Sequence, residues 1–297
     1  MNKKLQIGIV GLSKGNGHPY SWAAICNGYN PELMKNCPFP AIPEYLAMQQ
    51  WPKAKIPNVE VTHIWTQDLS ISENVAKASL ISKISGSLEE MATQVDAILF
   101  ARDDAENHEK MVMPFLKAGL PIFIDKPLAL DLGTANRILQ AQSYESQVFS
   151  CSSLRFADEL ILTKEDLNKI GEVTFVEAQI SKYWETYSVH LIEPMIRSLP
   201  QRGKLVGVSS EKIGEVIKAK IRWENVSAFV STYAAYNLPI EIKYFGTKDF
   251  VVKRFHDSFS AFKKSIEVFL EVIEHLSVPI PREETLEIIE IIEKGRQ

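Results

Sequence analysis

The tripeptide Asp125-Lys126-Pro127 closes the apolar run Pro121-Ile122-Phe123-Ile124. A buried-type strand that ends in acid, lysine and proline sets an ammonium at the carboxyl edge of a sheet. In open α/β folds that edge is where ligands bind. A lysine held there by its neighbours can give or take a proton, and proline fixes the direction in which the chain leaves the strand. A solvated lysine in a turn is the plain alternative.

A second constellation follows the first apolar run of the chain. Leu5–Leu12 reads as a strand, and it enters Gly11-Leu12-Ser13-Lys14-Gly15-Asn16-Gly17-His18. A strand, a glycine-rich turn and a helix form a dinucleotide site, because backbone amides and the helix N-terminus face a pyrophosphate. The spacing is not a strict G-x-G-x-x-G. Gly11 stands at the first glycine, Ser13 at the second, and Gly17 serves as the third only with one inserted residue. The second strand ends His63-Ile64-Trp65-Thr66-Gln67-Asp68. Thr66 stands where an acid usually holds the ribose, and Asp68 either binds ribose or caps the helix that follows. A threonine there also leaves room for a 2′-phosphate, so NAD and NADP both stay open.

The third constellation is Tyr183-Trp184-Glu185-Thr186-Tyr187-Ser188-Val189-His190-Leu191-Ile192-Glu193. Positions 186, 187, 190 and 193 share one face of a helix, so Tyr187, His190 and Glu193 are placed to converge on one pocket. Pro194 cannot donate to the carbonyl of His190, which predicts a disturbance there. A single histidine on a half-apolar helix is commonly a satisfied core residue. His63 reads as structural. No His/Asp/Glu set has metal-ligand spacing, and no nucleophile elbow is present.

Strands and helices alternate through the first half. Strands are expected at Leu5–Leu12, Val59–Trp65, Asp96–Ala101, Pro121–Ile124 and Val148–Ser152. Helices are expected at Tyr20–Gly28, Ile71–Ser79, Leu88–Ala92, His108–Ala118 and Leu130–Gln142. That alternation predicts a doubly wound parallel sheet. Asn30–Asn58, with six prolines, reads either as a long surface excursion with one helical turn near Glu44–Gln49 or, equally, as a plain packed insertion. The second half has long strand-like runs at Glu172–Tyr183, Lys204–Ser210, Glu215–Trp223, Ser227–Tyr236, Pro239–Phe245 and Asp249–Arg254. Tight connections between them predict antiparallel pairing. Helices at Thr186–Leu199, Phe259–Leu276 and Arg282–Lys294 cover one face. The fold class is therefore α/β followed by α+β, with a domain over residues 1–128 and a second over 129–297. The open sheet face, with Trp223, Phe229, Tyr233 and Phe245 along its strands, predicts a homo-oligomer, dimer or tetramer.

Length and composition agree with a two-domain globular enzyme: 297 residues, 45% apolar and 24% charged. The formal charge of −4 gives no nucleic-acid footprint. Cys26, Cys37 and Cys151 form neither a disulfide framework nor a zinc site, which suits a reducing, cytoplasmic compartment. No run is long enough for a signal core or a membrane span.

The ordered combination Asp96-Ala97-Ile98-Leu99-Phe100-Ala101, then His108, then Ala118-Gly119-Leu120-Pro121-Ile122-Phe123-Ile124-Asp125-Lys126-Pro127-Leu128-Ala129 resembles the central signature of the Gfo/Idh/MocA oxidoreductases. The resemblance runs over nearly the whole chain. It departs at Asp125, where glutamate is usual, and at Arg102-Asp103, where Thr-Pro is common. It implies a Rossmann domain paired with a substrate domain, NAD or NADP as cofactor, and hydride transfer at a carbinol carbon of a sugar, cyclitol or nucleotide sugar. It further implies a cofactor surface of Gly11, Leu12, Ser13, Gly15, Gly17, His18, Thr66, Asp68, Ala101, Arg102, His108, Asp125, Lys126 and Pro127. Lys126, His190 and Tyr187 take the catalytic places, with His190 matching the family histidine. Arg155, Thr186 and Glu193 take the substrate places, with a structural salt bridge an equal alternative for Arg155. Thr186 stands where aspartate is frequent. That departure, with Ser13 and Thr66, keeps a second reading open: a dinucleotide-binding sensor without turnover.

Overall fold

The computed structural model describes residues 4–296. They divide into two compact units. The first takes the chain up to Leu128 together with Asn136–Ser150 and Phe262–Ile280; the second takes Ala129–Ala135, Cys151–Ala261 and the chain from Pro281. The units are thus discontinuous, unlike a single cut after residue 128. The reason lies in packing. The strand Val148–Ser150 pairs beside the strand that carries Lys126. Phe262 and Phe269 join the aromatic core of the first unit, where Trp22 stacks on Phe123 at 4.9 Å and Phe269 lies 5.8 Å from Phe123.

The first unit holds six strands: β1 (Leu5–Val10), β2 (Val59–Trp65), β3 (Lys83–Ile84), β4 (Ala97–Phe100), β5 (Ile122–Ile124) and β6 (Val148–Ser150). Their order is β3-β2-β1-β4-β5-β6, and every pairing is parallel. Ile7, Ile9 and Val10, Ile98 to Phe100 and Ile122 to Ile124 are all sealed from solvent. A sheet covered on both faces needs such unbroken apolar runs. The strand order reverses between β1 and β4, which is the topological switch point of this architecture. The chain between residues 30 and 58 is the packed insertion of the two alternatives. It forms the short helices Pro31–Met34 and Ala41–Ala47, and it buries Met34, Cys37, Ile42, Leu46 and Ile56.

The second unit is built on β7 (Val173–Ser181), β8 (Leu205–Ile213), β9 (Val216–Trp223), β10 (Ser227–Tyr233), β11 (Glu241–Gly246) and β12 (Phe250–Arg254). The order is β12-β11-β7-β10-β9-β8. Only β7 with β10 is parallel; the other pairings are antiparallel. On the inner face lie Val176, Ala178, Ile180, Ile221, Ala228, Val230, Ile242 and Tyr244, all buried. The helices Val189–Ser198 and Arg282–Gly295 pack against β7 and β8.

Two expectations are corrected here. The single helix over 186–199 is two helices, Trp184–Tyr187 and Val189–Ser198, joined at Ser188. Trp223 belongs to the inner face, where it is buried and its indole nitrogen donates to Glu287 at 2.6 Å. Ile217, Ala219, Ile221 and Trp223 alternate on β9 and so share one side of the sheet.

Candidate active site

Lys126 follows β5 directly, and its cis peptide bond to Pro127 turns the chain away. The side chain is only 3% exposed. Its ammonium lies 3.1 Å from Oδ2 of Asp103, which follows β4, the neighbouring strand. The other oxygen of Asp103 accepts from the Ser13 hydroxyl at 2.5 Å, and Ser13 in turn accepts from the Asp103 amide. Burial works against a charged Asp103. The Lys126 ammonium, the Ser13 hydroxyl and His18 outweigh it and hold the carboxyl at about 2.

Asp125 is buried beside it and fully engaged. Oδ2 accepts from Asn16 at 2.8 Å and lies 2.6 Å from Nδ1 of His18; Oδ1 accepts from the Lys126 amide. His18 is stacked 5.0 Å from Trp22, which sets its ring plane. The turn that leaves β1 is therefore anchored to the residue before the lysine.

The glycines of that turn serve different ends. A side chain at Gly11 would meet the Pro19 ring at 2.2 Å, and one at Gly17 would meet Phe39 and Ile42. Gly15 has φ 84° with open space around it, a backbone state suited to glycine. Lys14 and Gly15 are exposed at the tip, so their amides and the Lys14 ammonium are placed for an anion. The helix His18–Asn27 contributes less than expected. Its His18 amide donates to Asn16, Pro19 has none, and the Tyr20 amide donates to the Gly17 carbonyl. The residues present therefore fit the phosphates of a dinucleotide on the turn rather than on the helix end.

The remaining cofactor expectations separate. Leu12 exchanges two hydrogen bonds with Gln67, at 3.1 and 2.8 Å. Arg102 grips Asp104 through two nitrogens and reaches Gln67 at 3.0 Å, tying the ends of β1, β2 and β4 together. Thr66 is turned inward onto Ser72 and the Asp68 carbonyl. Asp68 caps the helix Leu69–Ala78 through Ser70, whose hydrogen bonds lower its carboxyl pKa. Ala101 is buried and continues the ladder to Val10. His108 is sealed inside, with one ring nitrogen 3.1 Å from the Leu128 carbonyl and the other 2.9 Å from that of Arg102. Burial lowers its pKa despite both carbonyls. It braces the loop that carries Lys126 and is not turned to a ligand.

In the second unit, Nδ1 of His190 lies 2.7 Å from the Ser152 hydroxyl, which also accepts from the Leu154 amide. The Tyr187 ring is edge-on to His190 at 5.2 Å, and the Tyr187 hydroxyl accepts from Lys182. Thr186 lies in the same short helix. Glu193 does not join this group as a free acid. It is buried, pairs with Arg155 at 3.0 Å and takes the Ser152 amide. Arg155 also pairs with Glu284. Arg155 thus takes up the salt-bridge alternative, and Glu193, placed at a substrate by the resemblance, is its partner.

Asn16, Gln67 and Ser152 carry no sequence signal of a role, and Asp103 carries only that of a departure at Arg102-Asp103. In the fold β4 and β5 are neighbours, and residues 103 and 126 both lie just past their ends. Among the described residues no cluster of His, Cys, Asp or Glu is arranged to hold a metal ion. No described helix is long and apolar enough to cross a membrane.

This six-stranded parallel order with a glycine turn after β1 defines a Rossmann-type nucleotide-binding domain. Residues 41–152 match the family described as "Oxidoreductase family, NAD-binding Rossmann fold", the GFO_IDH_MocA family. The matched stretch thus resembles the nucleotide-binding part of the Gfo/Idh/MocA oxidoreductases. A search of the curated proteins finds no match. Among solved structures, apo scyllo-inositol dehydrogenase from Lactobacillus casei is similar at TM-score 0.74 and 16% identity, over 99% of this chain and 96% of that one. Myo-inositol 2-dehydrogenase from Lactobacillus plantarum gives 0.71 and 16%, over 98% and 96%. A probable dehydrogenase from Thermotoga maritima gives 0.72 and 14%, over 98% of each chain. At such identities the likeness establishes the fold.

Proposed function

We propose that this protein transfers a hydride between a nicotinamide cofactor and a carbinol or carbonyl carbon of a polyhydroxylated substrate, a sugar, cyclitol or nucleotide sugar. The observation that carries the reading is the buried Lys126 ammonium, held by Asp103 at the carboxyl end of β5. Bound NAD or NADP would supply the hydride chemistry. The turn from Ser13 to Gly17 would hold its phosphates, and Asp68 offers an acid after β2. Lys126 gives the substrate oxygen its proton in reduction and takes it in oxidation. His190, oriented by Ser152 and flanked by Tyr187, is the second proton-handling group. A scyllo-inositol dehydrogenase structure of the same fold contains NAD(H) and scyllo-inositol, which supports a cyclitol as the first substrate to test.

Calorimetric titration with NADH and NADPH reads cofactor binding, and a panel of cyclitols and sugars followed at the nicotinamide absorbance band reads turnover. Lys126→Ala should keep cofactor affinity and lower turnover ~10²-fold or more, the scale of a lost general acid/base. Absence of binding by both nucleotides ends this reading. The alternative is a dinucleotide-binding sensor without turnover, favoured by Thr186 standing where the acid of the proton relay is frequent. Saturable binding without turnover of any panel member would select it.

A further inference from the structure

We propose that Asp103 is the positioning residue of Lys126: it aims the ammonium and holds it in the proton-donating form. This rests on the reading of Lys126 as the proton-transferring group. The two oxygens of the carboxylate are divided between two partners, Oδ1 to the Ser13 hydroxyl at 2.5 Å and Oδ2 to the Lys126 ammonium at 3.1 Å. The side chains are 15% and 3% exposed, so solvent screens the pair little. Ser13 thereby fixes the rotation of the carboxylate, and the carboxylate fixes the lysine.

Four charged or titratable groups of the same unit lie close in sequence or in space, and each has partners of its own. Arg102, the residue before Asp103, is turned to Asp104. Asp125 is taken by Asn16 and His18. His108 is enclosed between two carbonyls, and burial lowers its pKa. His18 is felt by Asp103 only through space. Asp103 is the acid in direct contact with the Lys126 ammonium, at 3.1 Å.

The consequence concerns pH range. When Lys126 protonates a substrate oxygen, an N–H bond breaks, an O–H bond forms, and a neutral amine remains beside a carboxylate. The carboxylate favours the ammonium over that amine. The pair thus makes the ammonium a weaker acid but keeps the protonated form, the one that can donate in carbonyl reduction, present to high pH.

The test is a titration of the protein without cofactor or substrate. In lysine-labelled protein the side-chain carbon resonance of Lys126, assigned by its loss in Lys126→Arg, is followed against pH. Asp103→Asn should lower the Lys126 midpoint by about one unit or more. The reciprocal measurement uses Lys126→Met, in which the Asp103 carboxyl should rise from about 2 towards the ordinary carboxylate range. It stands even if Asp103→Asn fails to fold. An unchanged Lys126 midpoint in folded Asp103→Asn, or an unmoved Asp103 in Lys126→Met, overturns the proposal. In the active protein the upper pH limit of carbonyl reduction should fall with the Lys126 midpoint. A midpoint that moves in a protein that turns nothing over overturns the oxidoreductase reading alone and leaves the pairing in place.

Discussion

Nδ1 of His18 lies 2.6 Å from Oδ2 of Asp125, although 107 residues separate them. The same oxygen accepts from Asn16, and the other accepts from the Lys126 amide. One buried carboxylate thus joins the nucleotide turn to the lysine loop. Asp125→Ala would strand several buried polar groups and is expected to cost about 3 kcal/mol or more. Asp125→Asn, which keeps the shape, should cost less. Denaturant unfolding of both variants checks this; an Asp125→Ala protein as stable as the wild type would sink it.

Gly11 stands at the first glycine of the dinucleotide turn, a place usually explained by the tightness of the turn. Its absent side chain points at Pro19, 2.2 Å away. Gly11→Ala should therefore destabilise the fold by about 1–3 kcal/mol through overpacking, before any effect on nucleotide. Removing the ring in Gly11→Ala/Pro19→Ala should recover much of that loss, since Pro19 Cγ is the clashing atom. A double variant no more stable than Gly11→Ala would show that the strain lies elsewhere.

The first unit was legible because strands buried on both faces are written as unbroken apolar runs. Val59–Trp65 lies where its β-branched pattern predicts. The limits of legibility have physical causes. Glu284 reaches Arg155 across 129 residues, and no spacing rule reports such a partner. The return of Phe262 and Phe269 to the first unit is a packing event that helical periodicity does not address. Trp223 is different, because its alternation with Ile217, Ala219 and Ile221 already marked the inner face. At the site, Lys126 stood out by position, whereas Asp103 looked only like a departure from a pattern.

Arg155 lies between Glu193 and Glu284 within the second unit. Burial raises the Glu193 carboxyl pKa even against the pull of Arg155. Arg155→Ala should cost about 3–5 kcal/mol, the scale of breaking a buried pair. Arg155→Met with Glu193→Met should be far closer to wild-type stability. Thermal unfolding decides it. A folded, equally stable Arg155→Ala enzyme with a raised KM would return Arg155 to a substrate role.

The outward face of the second sheet carries Phe229 and Phe250, 43% and 50% exposed. Phe175 and Phe245 link them through ring contacts of 5.5 to 5.8 Å. We expect this aromatic strip to be covered by a second copy of the chain, sheet to sheet. Light scattering should give a mass above the 33.6 kDa of one chain, and Phe229→Lys with Phe250→Lys should return it to that value. A wild-type monomer at micromolar concentration would refute the expectation.

Asp103 also makes the fold sensitive to acid in a defined sense. Its carboxyl is held at about 2 in the folded protein, below the roughly 3.9 of an unfolded aspartate. A depressed carboxyl contributes stability that is complete above the unfolded value and lost as pH falls through the folded one. The window therefore runs from about pH 4 down to about pH 2, and the contribution is on the order of 2 kcal/mol. Asp103→Asn removes it. The stability gap between wild type and Asp103→Asn should be widest near neutrality and narrow by about that amount across the window. The remainder, from leaving Lys126 beside a neutral amide, should persist through it. Guanidinium unfolding of both proteins at a series of pH values measures the gap directly. A gap that stays constant down to about pH 2 would mean that Asp103 is not a depressed acid in the fold, and the Lys126 pairing would lose its energetic basis.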